Sequence, residues 1–523
     1  MHTDVHAQSS SASRGRGSHR ERTRGLGVLA AVVLVVVPQA PLGSLTFGMA
    51  TNFAATGAPA FPLMFALVGV VLLAFALAAS AMARQVSHPG GLYAYVSHGL
   101  GRRAGLGAAL IGLIGYSAMT VTFFVPIGDQ GSQLLAAHTG VTVPWWLLVT
   151  PAVLLVGLLG TRSTAVVVRV LGVLLVAQLV LIAVFDVAAL AQPGPDGVST
   201  AALNPASLLN GGVSAALAFV LVAFVGAETV ASYTGELRRT GPSVSRVAYL
   251  GVGLMAVVYA FSSWALTVAT GPQQVVDRSR TLGIRLVPTL VDARLGSVAG
   301  TLFRSLVLVS IFAAALAFHN VAARYLRALA GDGVLPHQLA SRDARTGAPV
   351  AGSIVQTGVS LTLVLSTGVS GANPFATLFP WLSDIGGLGV VLLLILVSIS
   401  VVAFFLRSDS EESGFLGWEG PVVAGFFATV TLTVLVILAL IQFDVRLGVP
   451  RDSPLGYLPP LLLVAVFFGG IIWASVLRLS RPDVFSRIGR TLPVDAPPTG
   501  RRGKPVRNPE RPHAARPDRR LSQ

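Results

Sequence analysis

Glu228, His319 and Asp384 stand out among the ionisable side chains inside long apolar stretches of this 523-residue chain. Glu228 closes the run Phe224-Val225-Gly226-Ala227-Glu228. An ionised carboxylate at membrane depth costs some kcal/mol, so it must face a cavity, hold a proton or pair with another group. Asp384, followed by Gly386 and Gly387, suits proton carriage, contact with a cationic solute or a hydrogen bond inside a helical bundle. His319 titrates near neutral pH and suits proton coupling, with a packed interior histidine as the alternative. Arg304 is expected to snorkel outward, and Tyr93 and Tyr95 to settle at a membrane interface. Other chemistries are excluded. The chain has no Cys, which removes disulfides, thiolate catalysis and Cys-ligated metals. It carries neither the His-rich spacing of a metalloenzyme nor a phosphate-cradling glycine loop ending in Lys.

Backbone chemistry offers more. Pro38-Gln39-Ala40-Pro41-Leu42-Gly43-Ser44 places two prolines three residues apart in an apolar run. Each removes an amide donor, and Gly43 permits dihedrals that other residues resist. The helix there is expected to kink or unwind. Gly226, beside Glu228, marks a second disruption. Exposed backbone at membrane depth is tolerated only where it lines a cavity. Two broken helices offer free N–H groups to a carboxylate and free carbonyls to a cation or ammonium group. One such site can hold a zwitterion.

The elements that carry these residues follow from composition. The chain is 53% hydrophobic and 11% charged, against about a quarter charged for a soluble protein. A bilayer core needs roughly 20 apolar residues per helix. Runs of that length occur near 27–53, 60–83, 104–127, 144–160, 165–190, 208–234, 247–270, 298–323, 348–369, 375–406, 420–443 and 456–478. Twelve helical spans are therefore expected, because unpaired backbone is costly in hydrocarbon. With the N-terminus in the cytoplasm, inner segments hold 30 of the 37 basic residues and outer loops hold six. The loop between spans seven and eight breaks the trend with Arg278, Arg280, Arg285 and Arg294. Residues 1–26 read as a disordered basic cytoplasmic tail before an uncleaved first span, and 479–523 as a second such tail. The basic residues sit in tails and short loops, which points to membrane topology rather than nucleic acid. Spans 1–10 (27–406) form the expected transport core, followed by two more spans within 420–478. Span one enters from inside and span six from outside, so breaks at corresponding places in two halves point to an inverted repeat with a site at the midplane.

With those residues in view, the sequence resembles an amino acid permease of the amino acid–polyamine–organocation superfamily. Residues 89–106, beginning Pro-Gly-Gly-Leu-Tyr, are similar to the family's signature between spans two and three. Residues 224–243, with Gly226, Glu228, Glu236 and Pro242, look like its broken sixth helix and following loop. Residues 318–336, from Phe-His-Asn to Asp-Gly-Val-Leu-Pro, resemble the end of its eighth span, and Ala40-Pro41-Leu42-Gly43 its first. The resemblance implies an all-α polytopic protein with a leucine-transporter-like five-plus-five inverted repeat, broken helices 1 and 6, and alternating access. Carried over by position, Leu42, Gly43 and Ser44 meet a substrate carboxylate, with Pro41 and Glu228 also among the substrate-binding residues. Val225, Gly226 and Ala227 accept from its amino group. Phe224 resembles the gating aromatic, and Tyr116 lines the pocket. The family's common Gly-small-Gly is here Pro41-Leu42-Gly43-Ser44, and span five lacks the Lys of some proton-coupled members.

The expected function is secondary transport of neutral or broadly chosen amino acids across the cell membrane. Glu228, Asp384 and His319 are the candidates for coupling to a proton or cation, with no resident metal or cofactor. A cationic amino acid or polyamine is the alternative if Glu228 and Asp384 both face the pocket as anions. A membrane-embedded enzyme and a non-transporting receptor are the alternatives of another class. Coupling ion (proton or Na+), direction and oligomeric state are not written in the sequence.

Overall fold

The computed structural model describes residues 27–490, apart from 87, 89, 210–211, 237–239, 344, 408–418, 442, 444–446, 448 and 451–452. Among the described residues every regular element is helical. Eleven helices are long and apolar enough to cross a membrane. They are span 1 (Val28–Thr56), span 2 (Phe61–Gln85), span 3 (Arg102–Ala136), span 5 (Val167–Ala191), span 6 (Val213–Tyr233) and span 7 (Val244–Thr270). Span 8 (Ser297–Gly331), span 9 (Val350–Val369), span 10 (Leu378–Phe405), span 11 (Glu419–Ile441) and span 12 (Pro454–Ser480) complete that set. The apolar stretch expected at 144–160 forms the shorter helix Trp145–Gly160, here span 4. Burial ranks these elements. The apolar window of span 6 is 83% buried, whereas those of spans 11 and 12 are 33% and 22% buried. Span 6 is therefore central, and the last two spans form a rim with one face left for lipid.

The side on which span 1 begins is called the near face and the opposite side the far face. On the far face, the arginines that broke the charge trend have structural tasks. Arg278, Arg280 and Arg294 ride on helices Val275–Leu282 and Leu286–Leu295, which connect spans 7 and 8, and Arg285 ends the 3-10 turn between them. Arg294 donates to the carbonyls of Gln192 (3.1 Å) and Ala269 (2.7 Å), at the ends of spans 5 and 7. Arg280 donates to the carbonyl of Ala54 at 3.2 Å, near the end of span 1. The last carbonyls of a helix have no intrahelical donor, and these guanidinium groups supply one. Arg304, expected from sequence to snorkel outward, reaches the far-face connection. It pairs with Asp292 at 2.8 Å.

On the near face, two of the motifs singled out in the sequence meet around one carboxylate. Asp332, just past span 8 and buried, accepts from His88 Nε2 at 3.2 Å and from the Tyr93 hydroxyl at 2.9 Å. The amide of Gly489 also donates to it at 2.9 Å. His88 Nδ1 accepts from the amide of Gly90, so Nε2 carries the proton. Gly91, at φ +58°, lies so close to span 6 that a Cβ would sit 3.0 Å from the Ala231 carbonyl. Tyr93 and Tyr95 are thus buried inside the fold, not at a lipid interface, because α-turns Leu92–Gly99 fold back under the bundle. Part of the stretch expected to be disordered from 479 is structured: Pro482–Arg487 is helical, with Val484 and Ile488 buried. Residues 1–26 and 491–523 lie outside the described residues.

Replacing Asp332 with Ala would leave three buried donors without their acceptor, each costing about 1–3 kcal/mol. Thermal unfolding of purified Asp332→Ala in detergent is expected to fall several degrees below the wild type, and an unchanged midpoint would contradict this account of the near face.

Candidate functional site

Both expected interruptions are present, and local chemistry explains each. In span 1 the α-helix Val28–Val36 tightens to a 3-10 turn at Val37–Gln39. Ala40 then adopts φ 46°, the single left-handed non-glycine among the described residues. Helix resumes at Pro41–Gly43 and passes through a π-helical stretch, Ser44–Met49. Pro38 has no amide, so the carbonyl of Leu34 four residues earlier loses its donor. The hydroxyl of Thr229, from span 6, replaces it at 2.9 Å. In span 6 the α-helix Val213–Ala223 ends in a turn and continues as the 3-10 helix Ala227–Glu236. Gly226 sits at φ +114°, and a Cβ there would lie 2.7 Å from the Pro38 side chain. Only glycine satisfies both conditions. The two breaks therefore touch, ring against glycine.

Above them, toward the far face, opens a cavity of about 350 Å³. Its floor is made by Gln39, Gly43 and Ser44 of span 1 and Ala223 and Val225 of span 6. Its walls carry Phe47, Phe123, Phe219, Phe375 and Phe379, with Thr122 and Asp384 among the polar groups. Asp384 is the one ionisable side chain among the described lining residues. Gly48 lies flat against Phe219, whose ring would be 2.4 Å from a Cβ on that glycine.

The sequence-derived candidates divide sharply. Gly43, Ser44, Val225 and Asp384 line the cavity. Pro41 and Leu42 are buried behind it, because the left-handed turn at Ala40 rotates them into the bundle. Gly226 faces Pro38 instead of the cavity. The gating role expected of Phe224 is not supported by its position. Its ring is turned into an aromatic cluster with Phe65 (6.1 Å) and Tyr259 (5.6 Å), on the side of a small separate apolar space that Ala227 and Glu228 also border. Tyr116 does not line the pocket; its hydroxyl donates to Glu228 Oε1 at 3.0 Å. Glu228 in turn accepts from the amide of Gly226 at 2.9 Å through Oε2. It is a cap for the broken helix, not an open substrate contact. His319 is a packed residue: Nε2 donates to Ser353 at 2.8 Å, and that hydroxyl gives its own proton to the Gly157 carbonyl at 2.9 Å.

Several residues escaped the sequence reading. Tyr259 of span 7 sends its hydroxyl to the Gln39 carbonyl at 2.7 Å. It also lies 3.2 Å from Ser44 Oγ and 3.4 Å from the Ala223 carbonyl. Asp186 of span 5 is buried and accepts from Ser262 at 2.7 Å. A lone Asp late in an apolar run was the available signal for the second. Tyr259 carries no local signal at all.

Comparison with known proteins agrees with this architecture. A family model described as "Amino acid permease" matches residues 26–469. No curated protein matches the sequence. Crystal structures of three mutant forms of the manganese transporter of Eremococcus coleocola share the fold. One superposes with a TM-score of 0.54 at 15% identity, covering 88% of this chain and 95% of that one. The other two do so with the same score and coverage at 14% identity. Such identities establish a common fold.

If Glu228 caps the break, Glu228→Ala strands the Gly226 amide and the Tyr116 hydroxyl in the interior, at about 1–3 kcal/mol each. Its melting midpoint is expected to drop well below that of Thr51→Ala, a change at the exposed rim of the cavity. Equal midpoints for the two variants would remove the capping role.

Proposed function

The chain belongs to the amino acid permease family, and on that premise we propose that it carries amino acids or closely related amines through the cavity between spans 1 and 6. It is a multi-span membrane transporter and not an enzyme. The observation that supports an amino acid cargo is the cavity floor. Its volume falls within the roughly 300–1,000 Å³ typical of small-molecule sites. Both interruptions contribute to that floor, so main-chain groups and small polar side chains meet the solute rather than a dedicated set of charges. No Arg, Lys or His is found among the described lining residues, which disfavours a cargo of net negative charge. The phenylalanine walls favour an apolar side chain. A neutral, apolar amino acid satisfies all three features. A cationic amino acid or polyamine is the second reading, favoured by Asp384 on the wall.

Manganese is the cargo named for the three similar structures, and it belongs to that protein. Mn²⁺ favours oxygen donors such as carboxylates. Among the described residues no three His, Cys, Asp or Glu side chains come together as a metal site. The donor set here fits an organic solute better.

The proposed cycle is alternating access. In the state described, the cavity faces the far side while the near halves of spans 1 and 6 are tied by Thr229 and backed by Gly91. The five-plus-five inverted repeat supplies the second conformation, with near and far halves exchanging roles. The excess of arginine on the near side supports a cytoplasmic position for that face and for both termini. A proton or sodium gradient, or exchange, drives the cycle.

Reconstituted vesicles test the proposal. With a panel of radiolabelled neutral, aromatic and cationic amino acids, polyamines and ⁵⁴Mn²⁺, saturable uptake of at least one neutral apolar amino acid is expected. Flux of manganese alone, or of no amino acid or amine, would overturn it.

A further inference from the structure

Breaking two helices at membrane depth leaves carbonyls on both sides of the gap, and what holds them in place decides the shape of the floor. On the near side the answer is Thr229, whose hydroxyl reaches the carbonyls of Leu34 (2.9 Å) and Gly226 (2.7 Å), one from each broken span. The far side has one comparable group, the phenol of Tyr259. It belongs to neither broken helix. Its hydroxyl is within 2.7 Å of the Gln39 carbonyl in span 1 and 3.4 Å of the Ala223 carbonyl in span 6. Ser44 Oγ, 3.2 Å away, gives its own proton to the same Gln39 carbonyl at 2.9 Å.

Two hydroxyl protons, one from span 7 and one from span 1, thus converge on the Gln39 carbonyl, with the Ala223 carbonyl of span 6 beside them. Gln39, Ser44 and Ala223 all line the cavity, so the cluster forms part of its floor. The phenol is held rigidly. Tyr259 is 1% exposed, and its ring packs against Phe65 at 5.1 Å and Phe224 at 5.6 Å. This arrangement also explains why Phe224 turns away from the cavity: it braces the tyrosine.

We propose that Tyr259 is the positioning residue of the substrate site: its one hydroxyl proton fixes the Gln39 carbonyl of the span 1 break, with the Ala223 carbonyl of span 6 at the outer edge of its reach, and so presets the floor for the solute's polar head. The inference rests on the proposed transport function for its kinetic consequence, but its structural consequence stands alone. With the hydroxyl present, the span 1 carbonyl is fixed before the solute arrives, and binding costs less ordering. Without it, the two breaks keep their near-side tie at Thr229 and lose their far-side one. The gap between spans 1 and 6 then varies at the floor while the fold persists, because the ring still fills its place.

Tyr259→Phe removes only the oxygen. The chain has no native cysteine, so spin labels at Thr51→Cys and Ser214→Cys, in the far-side ends of the two helices, report the separation of spans 1 and 6 uniquely. A narrow distance distribution is expected with Tyr259 and a broadened one with Tyr259→Phe; identical distributions would overturn the proposal. In vesicles, Tyr259→Phe is expected to raise KM for the transported amino acid about tenfold, with the maximal rate within about twofold of wild type. A fall in maximal rate at unchanged KM would overturn it as well. Absence of amino acid uptake by the wild type would count against the transport reading alone, and the distance measurement would still decide the role of Tyr259.

Discussion

A broken helix in hydrocarbon must find partners for the backbone groups it releases, and here each broken span finds them in the other or in a side chain fixed beside it. Pro38 deprives the Leu34 carbonyl of its donor, and Thr229 of the opposite span supplies one. Glycine at 226 gives room for that same Pro38 ring. Glu228 receives the Gly226 amide, and Tyr259 holds the Gln39 carbonyl. Remove this reciprocity and neither interruption is tolerable alone. The cavity, its aromatic walls and the near-face closure all assume that the two breaks stay joined.

Charge is used sparingly for the same reason. The carboxylates of Glu228 and Asp332 are surrounded by donors, and His319 donates to Ser353. These groups shape backbone and seal faces. The floor of the cavity is left to carbonyls, hydroxyls and small side chains, which suits a solute that brings both charges with it. Arginines on the far face follow the rule too: Arg280 and Arg294 donate to carbonyls at helix ends.

Much of this was legible in the sequence. Span positions follow from apolar run length, and both breaks from Pro38, Pro41 and Gly226, because those are local properties of the chain. The resemblance motifs at 89–106 and 318–336 were visible as well, although nothing in them said that they would meet at Asp332. What stayed hidden is long-range. Tyr259 is 220 residues from Gln39, and Tyr116 is 112 from Glu228; no spacing rule connects such pairs. Facing was also illegible around the breaks. The left-handed turn at Ala40 rotates Leu42 inward and Ser44 outward, and the turn at 224–226 buries Phe224 while Phe219, one turn earlier, reaches the cavity wall. Helical periodicity cannot be extended across a residue that leaves the helix.

An experimental map of the purified protein with its transported solute bound tests the central claim most directly. Density for the solute is expected on the cavity floor, against Ser44 and Val225, with Glu228 still capping Gly226 behind it. Solute density beside His319 or in direct contact with Glu228, or a continuous helix through Ala40, would contradict the account.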